Sequence, residues 1–297
     1  MRLCNRSACP AILAWTTLLL PAQQPSGFNV QIPVTVVDRD NQPATGLVRD
    51  NFQILDKGAQ QQIIAVDGED GPTSIGILLD LSGSMGPKLA GARYAITQLV
   101  KSSSPRDEFF LVAFKEQPEL IADFTDSEAE IDAGLANVQA GHRTALLDTM
   151  LFGLEKMKGA HNERKVLLVI SDGGDNRSSH SEGDVRAAIL KSEVVIYSIG
   201  VFDKFVPTPE DRLGPQFLAN ICIESGGRLI RADNDGDWGS AAATIATLLR
   251  HQYVIQYVPR DLAHDGKWRK VKVKVNPPPG LPLLSVYARS GYYAPSQ

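Results

Sequence analysis

Hydrophobic positions along the chain follow two different periods, and the change between them divides it. Residues 28–36 set Phe28, Val30, Ile32, Val34 and Val36 against Asn29, Gln31, Pro33 and Thr35, the period of two of a strand with one buried face. Pro33 lacks a backbone N–H, so it predicts an edge position or an outward-facing residue. Asp38-Arg39-Asp40-Asn41-Gln42-Pro43 has turn composition, and residues 52–55 and 62–66 are two further short strands. A small antiparallel β segment over residues 26–70 is expected.

From Ser74 the pattern becomes strand, helix, strand, helix. Ser74-Ile75-Gly76-Ile77-Leu78-Leu79 is an apolar run without polar alternation, which suits a strand covered on both faces of a parallel sheet. Residues 88–101 place Leu89, Ala92, Ile96, Leu99 and Val100 on one helical face. Residues 109–114 form an apolar strand with 120–124 as its hairpin partner. Residues 127–136 form a short helix with Asp126 or Ser127 available as cap, and a helix runs from the Thr144 region through about Lys158. Strands follow at 165–170, 194–200 and 228–232, with helices at 182–191, 216–224 and 238–249. After Arg250 the period of two returns, at 253–258, at 270–275 with its lysines on the wet face, at 283–288 and at 291–293. These last strands have no helices to cover them. The economical arrangement pairs them with the strands before Ser74 in one β-sandwich, with the α/β unit inserted between the halves.

Chemistry gathers where the first apolar strand stops. Asp80, Ser82 and Ser84 alternate with small residues in Asp80-Leu81-Ser82-Gly83-Ser84, and a loop there can turn their oxygens toward one point. Oxygen clusters of this kind suit hard divalent cations. The bland alternative is a turn in which Asp80 and Ser82 bond their own backbone. Two more segments fall at comparable places. Thr144 lies in Gly141-His142-Arg143-Thr144 ahead of a helix, and Asp172 ends the strand before Gly173-Gly174-Asp175-Asn176. Ligands of open α/β sheets collect at the carboxyl ends of the strands, where these segments are expected to converge.

Asp-Leu-Ser-Gly-Ser resembles the D-x-S-x-S signature that opens the metal-ion-dependent adhesion site (MIDAS) of von Willebrand factor type A (VWA) domains, and Thr144 and Asp172 match that site's second and third loops. The flanks resemble the bacterial, acidobacterial-type VWFA-related proteins in Asn51-Phe52, Gln252-Tyr253-Val254, the Asp265-Gly266-Lys267-Trp268-Arg269-Lys270-Val271 run and Gly291-Tyr292-Tyr293. The resemblance implies a Rossmann-like VWA domain over 73–250, of doubly wound, mostly parallel α/β class, flanked by an antiparallel β-sandwich of 26–70 with 251–297. It further implies that Ser82, Ser84 and Thr144 bind the ion directly, while Asp80 and Asp172 act partly through water. Neutral hydroxyls leave the cation under-neutralised, with an outer position open to an acidic side chain of a partner protein. Mg2+ suits the site, with Ca2+ or Mn2+ able to substitute.

Composition narrows the rest. The chain has 297 residues with 43% hydrophobic and 22% charged positions, the mix of a globular protein. A net charge of −4 implies no nucleic-acid partner. Arg2 and Arg6, an apolar stretch at 11–20 and Pro21-Ala22 have the form of a signal peptide over 1–22. The protein is then exported, periplasmic or extracellular, without a membrane span after cleavage; an uncleaved anchor is the alternative. Cys4 and Cys9 precede the apolar body, which disfavours lipidation. Cleavage near Ala22 leaves Cys222 as the one cysteine, a buried apolar residue rather than a reactive thiol. His142 is a solvated loop residue for which hard-oxygen chemistry has no use. Asp233-Asn234-Asp235-Gly236-Asp237 departs from an EF-hand, with Thr244 where the closing Glu belongs, and is a turn with a helix cap. Without H-E-x-x-H or a G-x-S-x-G elbow, a metal hydrolase is disfavoured. A non-catalytic envelope scaffold remains the alternative to metal-controlled protein binding.

Overall fold

A computed structural model describes residues 28–68, 71–141, 143–202, 209–278 and 283–296. The export segment and His142 lie outside the described residues.

In chain order, the first strands are β1 (Val30–Val37), β2 (Phe52–Asp56), β3 (Ala59–Gln61) and β4 (Ile63–Asp67). The α/β unit follows as β5 (Thr73–Asp80), α1 (Leu89–Ser102), β6 (Glu108–Phe114), β7 (Pro118–Thr125), α2 (Glu128–Ala136), α3 (Leu146–Lys156) and β8 (Arg164–Ser171). It continues as α4 (Glu182–Lys191), β9 (Val195–Gly200), α5 (Pro209–Ser225), β10 (Leu229–Arg231) and α6 (Asp237–Arg250). The closing strands are β11 (Gln252–Tyr257), β12 (Trp268–Val275), β13 (Ser285–Ala288) and β14 (Gly291–Tyr293).

The central sheet has the order β10-β9-β8-β5-β6-β7, parallel throughout except for the antiparallel edge strand β7. Every residue of β5 is buried, as its unbroken apolar run requires. Ile75, Ile77 and Leu79 point into one core with α1, α2 and α6, and Leu78 points into the other with α3, α4 and α5. The lone glycine of β5 is explained by its neighbour, since a Cβ on Gly76 would lie 2.1 Å from Cζ of Phe110.

The strands on either side of this unit pair with each other. One sheet has the order β13-β1-β11-β4 and a second the order β14-β12-β2-β3, so both mix strands from before Ser74 and after Arg250. Their facing sides share one core, including Ile32, Val34, Ile54, Tyr253, Ile255 and Val273, which makes a sandwich. The sandwich is fastened to the α/β unit by polar contacts. Arg289 donates to the carbonyls of Leu190 and Ser192 at 3.0 and 2.8 Å, and the hydroxyls of Thr35 and Tyr197 lie 3.3 Å apart. Arg164 of β8 donates to Oε1 of Gln252 in β11 at 3.4 Å.

Inside the sandwich, Asp56 is 5% exposed and accepts from the hydroxyls of Tyr257 (3.0 Å) and Tyr292 (2.8 Å). Burial and the neighbouring carboxylate push both phenols well above the ordinary range. Tyr257→Phe removes one donor to this buried carboxylate, and thermal or denaturant unfolding is expected to show a loss of about 1.5–3 kcal/mol. Unchanged stability would show that the carboxylate is satisfied without it.

Several expectations need correction. Of the two positions expected for Pro33, the outward-facing one holds, since it alternates with buried Ile32 and Val34, whereas β1 is not an edge strand and lies between β13 and β11. β13 covers only Val34 to Val37, so Pro33 sits on a stretch paired on one side. The helix expected at 216–224 begins at Pro209 and carries Gly214-Pro215 inside it, because Gly214 packs directly on the backbone of Gly173. The short strand β3 and the 3-10 turn Gly83–Lys88 carry no periodic signal and were not anticipated. The turn at 233–236 precedes α6 as expected, but Gly236 supplies no side-chain cap, and Asp237 accepts from the Asn234 N–H instead. Cys222 is a free, fully buried thiol, which burial pushes upward in pKa. Among the described residues, no helix is long and apolar enough to cross a membrane.

Candidate functional site

The site lies at the carboxyl ends of β5 and β8, neighbours in the sheet. Asp80 is the last residue of β5 and is completely buried. Its Oδ1 accepts from the Ser82 N–H at 2.7 Å and its Oδ2 from the Ser171 hydroxyl at 2.6 Å. Ser171 also accepts from the Gly173 N–H at 2.9 Å, so one hydroxyl fixes both the carboxylate and the turn after β8. Burial, then the charge of Asp172, pushes Asp80 up to about 7. Its ionised form is therefore disfavoured where it stands, and a cation beside it would favour that form.

Ser82 and Ser84 follow on the tight turn. Their hydroxyl oxygens lie 3.1 Å apart, and Ser84 donates to Oδ2 of Asp172. Asp172 also accepts from the Gly174 N–H at 3.2 Å. Ser82 and Asp172 are buried at 3% and 8% exposure, whereas Ser84 is exposed. The cluster thus runs from a sealed carboxylate outward to a hydroxyl at the surface.

Thr144 is tied through its backbone to the loop that follows β8. Its N–H donates to Oδ1 of Asn176 at 3.1 Å, and its carbonyl accepts from the N–H groups of Asn176 and Arg177, both at 3.0 Å. Gly141 of the same loop donates to the Leu81 carbonyl at 2.6 Å, and a Cβ on Gly83 would lie 3.1 Å from the Gly141 carbonyl oxygen. The Asp80, Thr144 and Asp172 loops are therefore sewn to one another. Asp80, Ser82, Ser84 and Asp172 form one continuous hydrogen-bonded group, while no side-chain bond of Thr144 joins it.

Sequence reasoning missed three supporting residues. Ser171 orients Asp80, Asn176 clamps Thr144, and Asp175 accepts from the Leu147 N–H at 2.9 Å at the start of α3, satisfying an orphan helix donor. All stand in the Ser171-to-Asn176 run, whose turn composition was the available signal. The structure also assembles a Ser-His-Asp contact that no spacing suggests. His180 Nδ1 lies 2.8 Å from Asp148 and 3.3 Å from the Ser179 hydroxyl. A proton relay needs opposite ring nitrogens for acid and hydroxyl, whereas here both use Nδ1. Asp148 instead accepts from the N–H groups of Ser179 and His180, holding a loop. Among the described residues, no three His, Cys, Asp or Glu side chains converge as metal ligands; the Asp80 cluster offers two carboxylates and hydroxyls. A cleft of about 380 Å3 between the sandwich and the far end of the sheet, lined by Pro33, Gln252 and Val254 among others, includes none of these residues.

Comparisons with known proteins agree with this architecture. The sequence profile of the von Willebrand factor type A domain matches residues 75–174. Inter-alpha-trypsin inhibitor heavy chain H4 of Bos taurus is 25% identical over 184 residues, which cover 56% of this chain and 19% of that relative; the chain thus spans about a fifth of that relative's length. A von Willebrand factor type A structure from Catenulispora acidiphila superposes with a TM-score of 0.52 at 12% identity, covering 92% of this chain and 76% of that one. The D319A mutant of the PilB minor pilin from Streptococcus sanguinis gives 0.51 at 14% identity, covering 61% and 62%. These structural likenesses are of fold, and the first extends beyond the matched segment into the sandwich. Residues 75–174 thus match the von Willebrand factor type A domain family.

Proposed function

We propose that the chain is an exported, non-catalytic protein that binds a partner protein through a divalent cation held at the Asp80 cluster. The observation that carries this reading is the convergence of two carboxylates, Asp80 and Asp172, with the hydroxyls of Ser82 and Ser84 in one hydrogen-bonded group that opens to the surface through Ser84. An oxygen-only donor set with two carboxylates fits a hard cation, Mg2+ in the first instance and Ca2+ or Mn2+ as substitutes. Ser82, Ser84 and Thr144 would hold the ion, and Asp80 and Asp172 would balance its charge, partly through water. When bound, the ion supplies an electrophilic position that a partner's Asp or Glu can complete. The chain's own part is to hold its oxygens ready: Ser171 fixes Asp80, and Asn176 fixes the Thr144 loop.

The relatives lend support of a general kind. A minor pilin shares the fold, and VWA domains suit protein partners at an envelope or outside the cell. An assembly scaffold that docks without metal control is the second reading, and the test separates the two. The full chain, immobilised, is incubated with secreted or envelope material in Mg2+ and in EDTA. Retention of a partner in Mg2+ with release by EDTA is expected. Retention that ignores EDTA favours the scaffold and removes the metal from the account.

A further inference from the structure

The outer face of the second sandwich sheet carries a basic strip that the Asp80 cluster does not explain. In β12 the buried residues Arg269, Val271 and Val273 alternate with exposed Lys270, Lys272 and Lys274. Residues two apart on a strand share a face, at about 7 Å spacing. The lysines therefore form a row along the outer face of β12, which pairs with β14 over residues 268–270 and with β2 over residues 271–275. Strand lysines commonly guard a free edge, and at Lys272 and Lys274 β12 is paired on one side only. That role does not account for Lys270, which is paired with Gly291 of β14.

Their neighbours on this face supply no counter-charge. Lys272 is paired with Leu55, Lys274 with Gln53, Leu55 with Gln60, and Trp268 with Tyr293. Gln53 and Gln60 bond each other at 2.9 Å. The closest acids in the preceding loop are engaged elsewhere, Asp261 with Lys57 at 3.0 Å and Asp265 with Arg269 at 2.9 Å. Among the described residues none of the three lysines has an ion pair. Three like charges on one strand face of a chain whose net charge is −4 mark a local field of opposite sign to the whole.

An aromatic pair stands at the end of this row. Trp268 and Tyr293 pack edge to face with ring centroids 5.1 Å apart, and Tyr293 is 38% exposed. Such rings present a flat apolar surface with a polar tip, beside Lys270 on the same face. Basic runs of this density bind polyanions such as heparin. A broad, flat sheet face with ring surface at one end and ammonium groups along it fits a chain that offers both flat apolar faces and regularly spaced anions. We propose that this face binds an acidic polysaccharide, with Lys270, Lys272 and Lys274 meeting its carboxylates or sulfates and Tyr293 stacking on a sugar ring. This contact is independent of the cation proposed at the Asp80 cluster.

The test measures binding of the full chain to polygalacturonate, with anionic phosphatidylglycerol vesicles, duplex DNA and neutral dextran alongside. Wild type is expected to bind polygalacturonate, to lose affinity as NaCl is added, and to bind equally in Mg2+ and EDTA. K270Q/K272Q/K274Q is expected to lose about tenfold or more in affinity, three exposed ion pairs at their ordinary strength, with its melting temperature near that of wild type. Tyr293→Ala is expected to weaken polygalacturonate binding as well. No measurable binding, or binding unchanged in the triple variant, would overturn the proposal. Vesicles or DNA bound as tightly as the polysaccharide, with Tyr293→Ala silent, would overturn it in favour of a generic anion surface.

Discussion

Asp80→Ala is expected to abolish Mg2+-dependent retention of the partner, lowering affinity by about a hundredfold or more, while leaving the protein folded. Both halves of this outcome come from the same geometry. Asp80 is sealed at the end of the central strand, and burial with the charge of Asp172 pushes it up to about 7. Without a cation, its charge is a burden on the fold rather than a support. Removing it leaves the Ser171 hydroxyl and the Ser82 N–H without their acceptor, a cost of about 1–3 kcal/mol for each buried group left unpaired, and the lost repulsion offsets part of this. With the cation, the same carboxylate becomes one of two charges that hold the ion. Asp80→Asn keeps the shape and one acceptor oxygen, so it is the cleaner control for folding. Pull-down in Mg2+ with circular dichroism of the free variants reads both effects. Full Mg2+-dependent binding by either variant would remove Asp80 from the site.

The second large effect is expected from Gly173→Ala. Gly173 has φ of +83°, and a Cβ there would lie 2.6 Å from the backbone of Gly214, whose own Cβ would meet Gly173 at 2.6 Å. A left-handed backbone costs an L residue roughly 1–2 kcal/mol. Overlap with backbone cannot be relieved by a rotamer change, and forced overpacking adds about 1–3 kcal/mol. A loss of about 2–5 kcal/mol is therefore expected in denaturant unfolding. Because Gly173 follows Asp172 and donates to Ser171, the same change displaces the third loop of the site. A melting temperature within a degree or two of wild type would mean that α5 yields at Gly214 more readily than its packing suggests.

The architecture was largely readable because each unit is governed by one period. The all-apolar β5 could only be a covered strand, and the return to alternation after Arg250 separated the sandwich strands from those of the parallel sheet. Pairing of the first and last strands followed from a shortage of helices to cover them. What failed was local. Gly214-Pro215 inside α5 depends on a contact with Gly173, 41 positions earlier by subtraction of their numbers, and no local propensity encodes it. The three-residue β3 is too short to show a period.

The site was legible only in its most regular part. The alternate spacing of Asp80, Ser82 and Ser84 carries their convergence on its face. Asp172 could be placed by its position at a strand end. Ser171, Asp175 and Asn176 were not assigned roles, because side-chain to backbone bonds between loops leave no spacing in the sequence. The Ser179-His180-Asp148 contact shows the converse, for residues that proximity alone would favour use one ring nitrogen twice to hold a loop.

The central claim is that these loops grip a cation with oxygens of Ser82, Ser84 and Thr144. Anomalous scattering from crystals grown with Mn2+ tests it most directly. One strong peak bounded by those three side chains is expected, with Asp80 and Asp172 behind it, and its loss in Asp80→Ala. Well-ordered wild-type crystals with no peak there, or with Mn2+ bound only elsewhere, would contradict it.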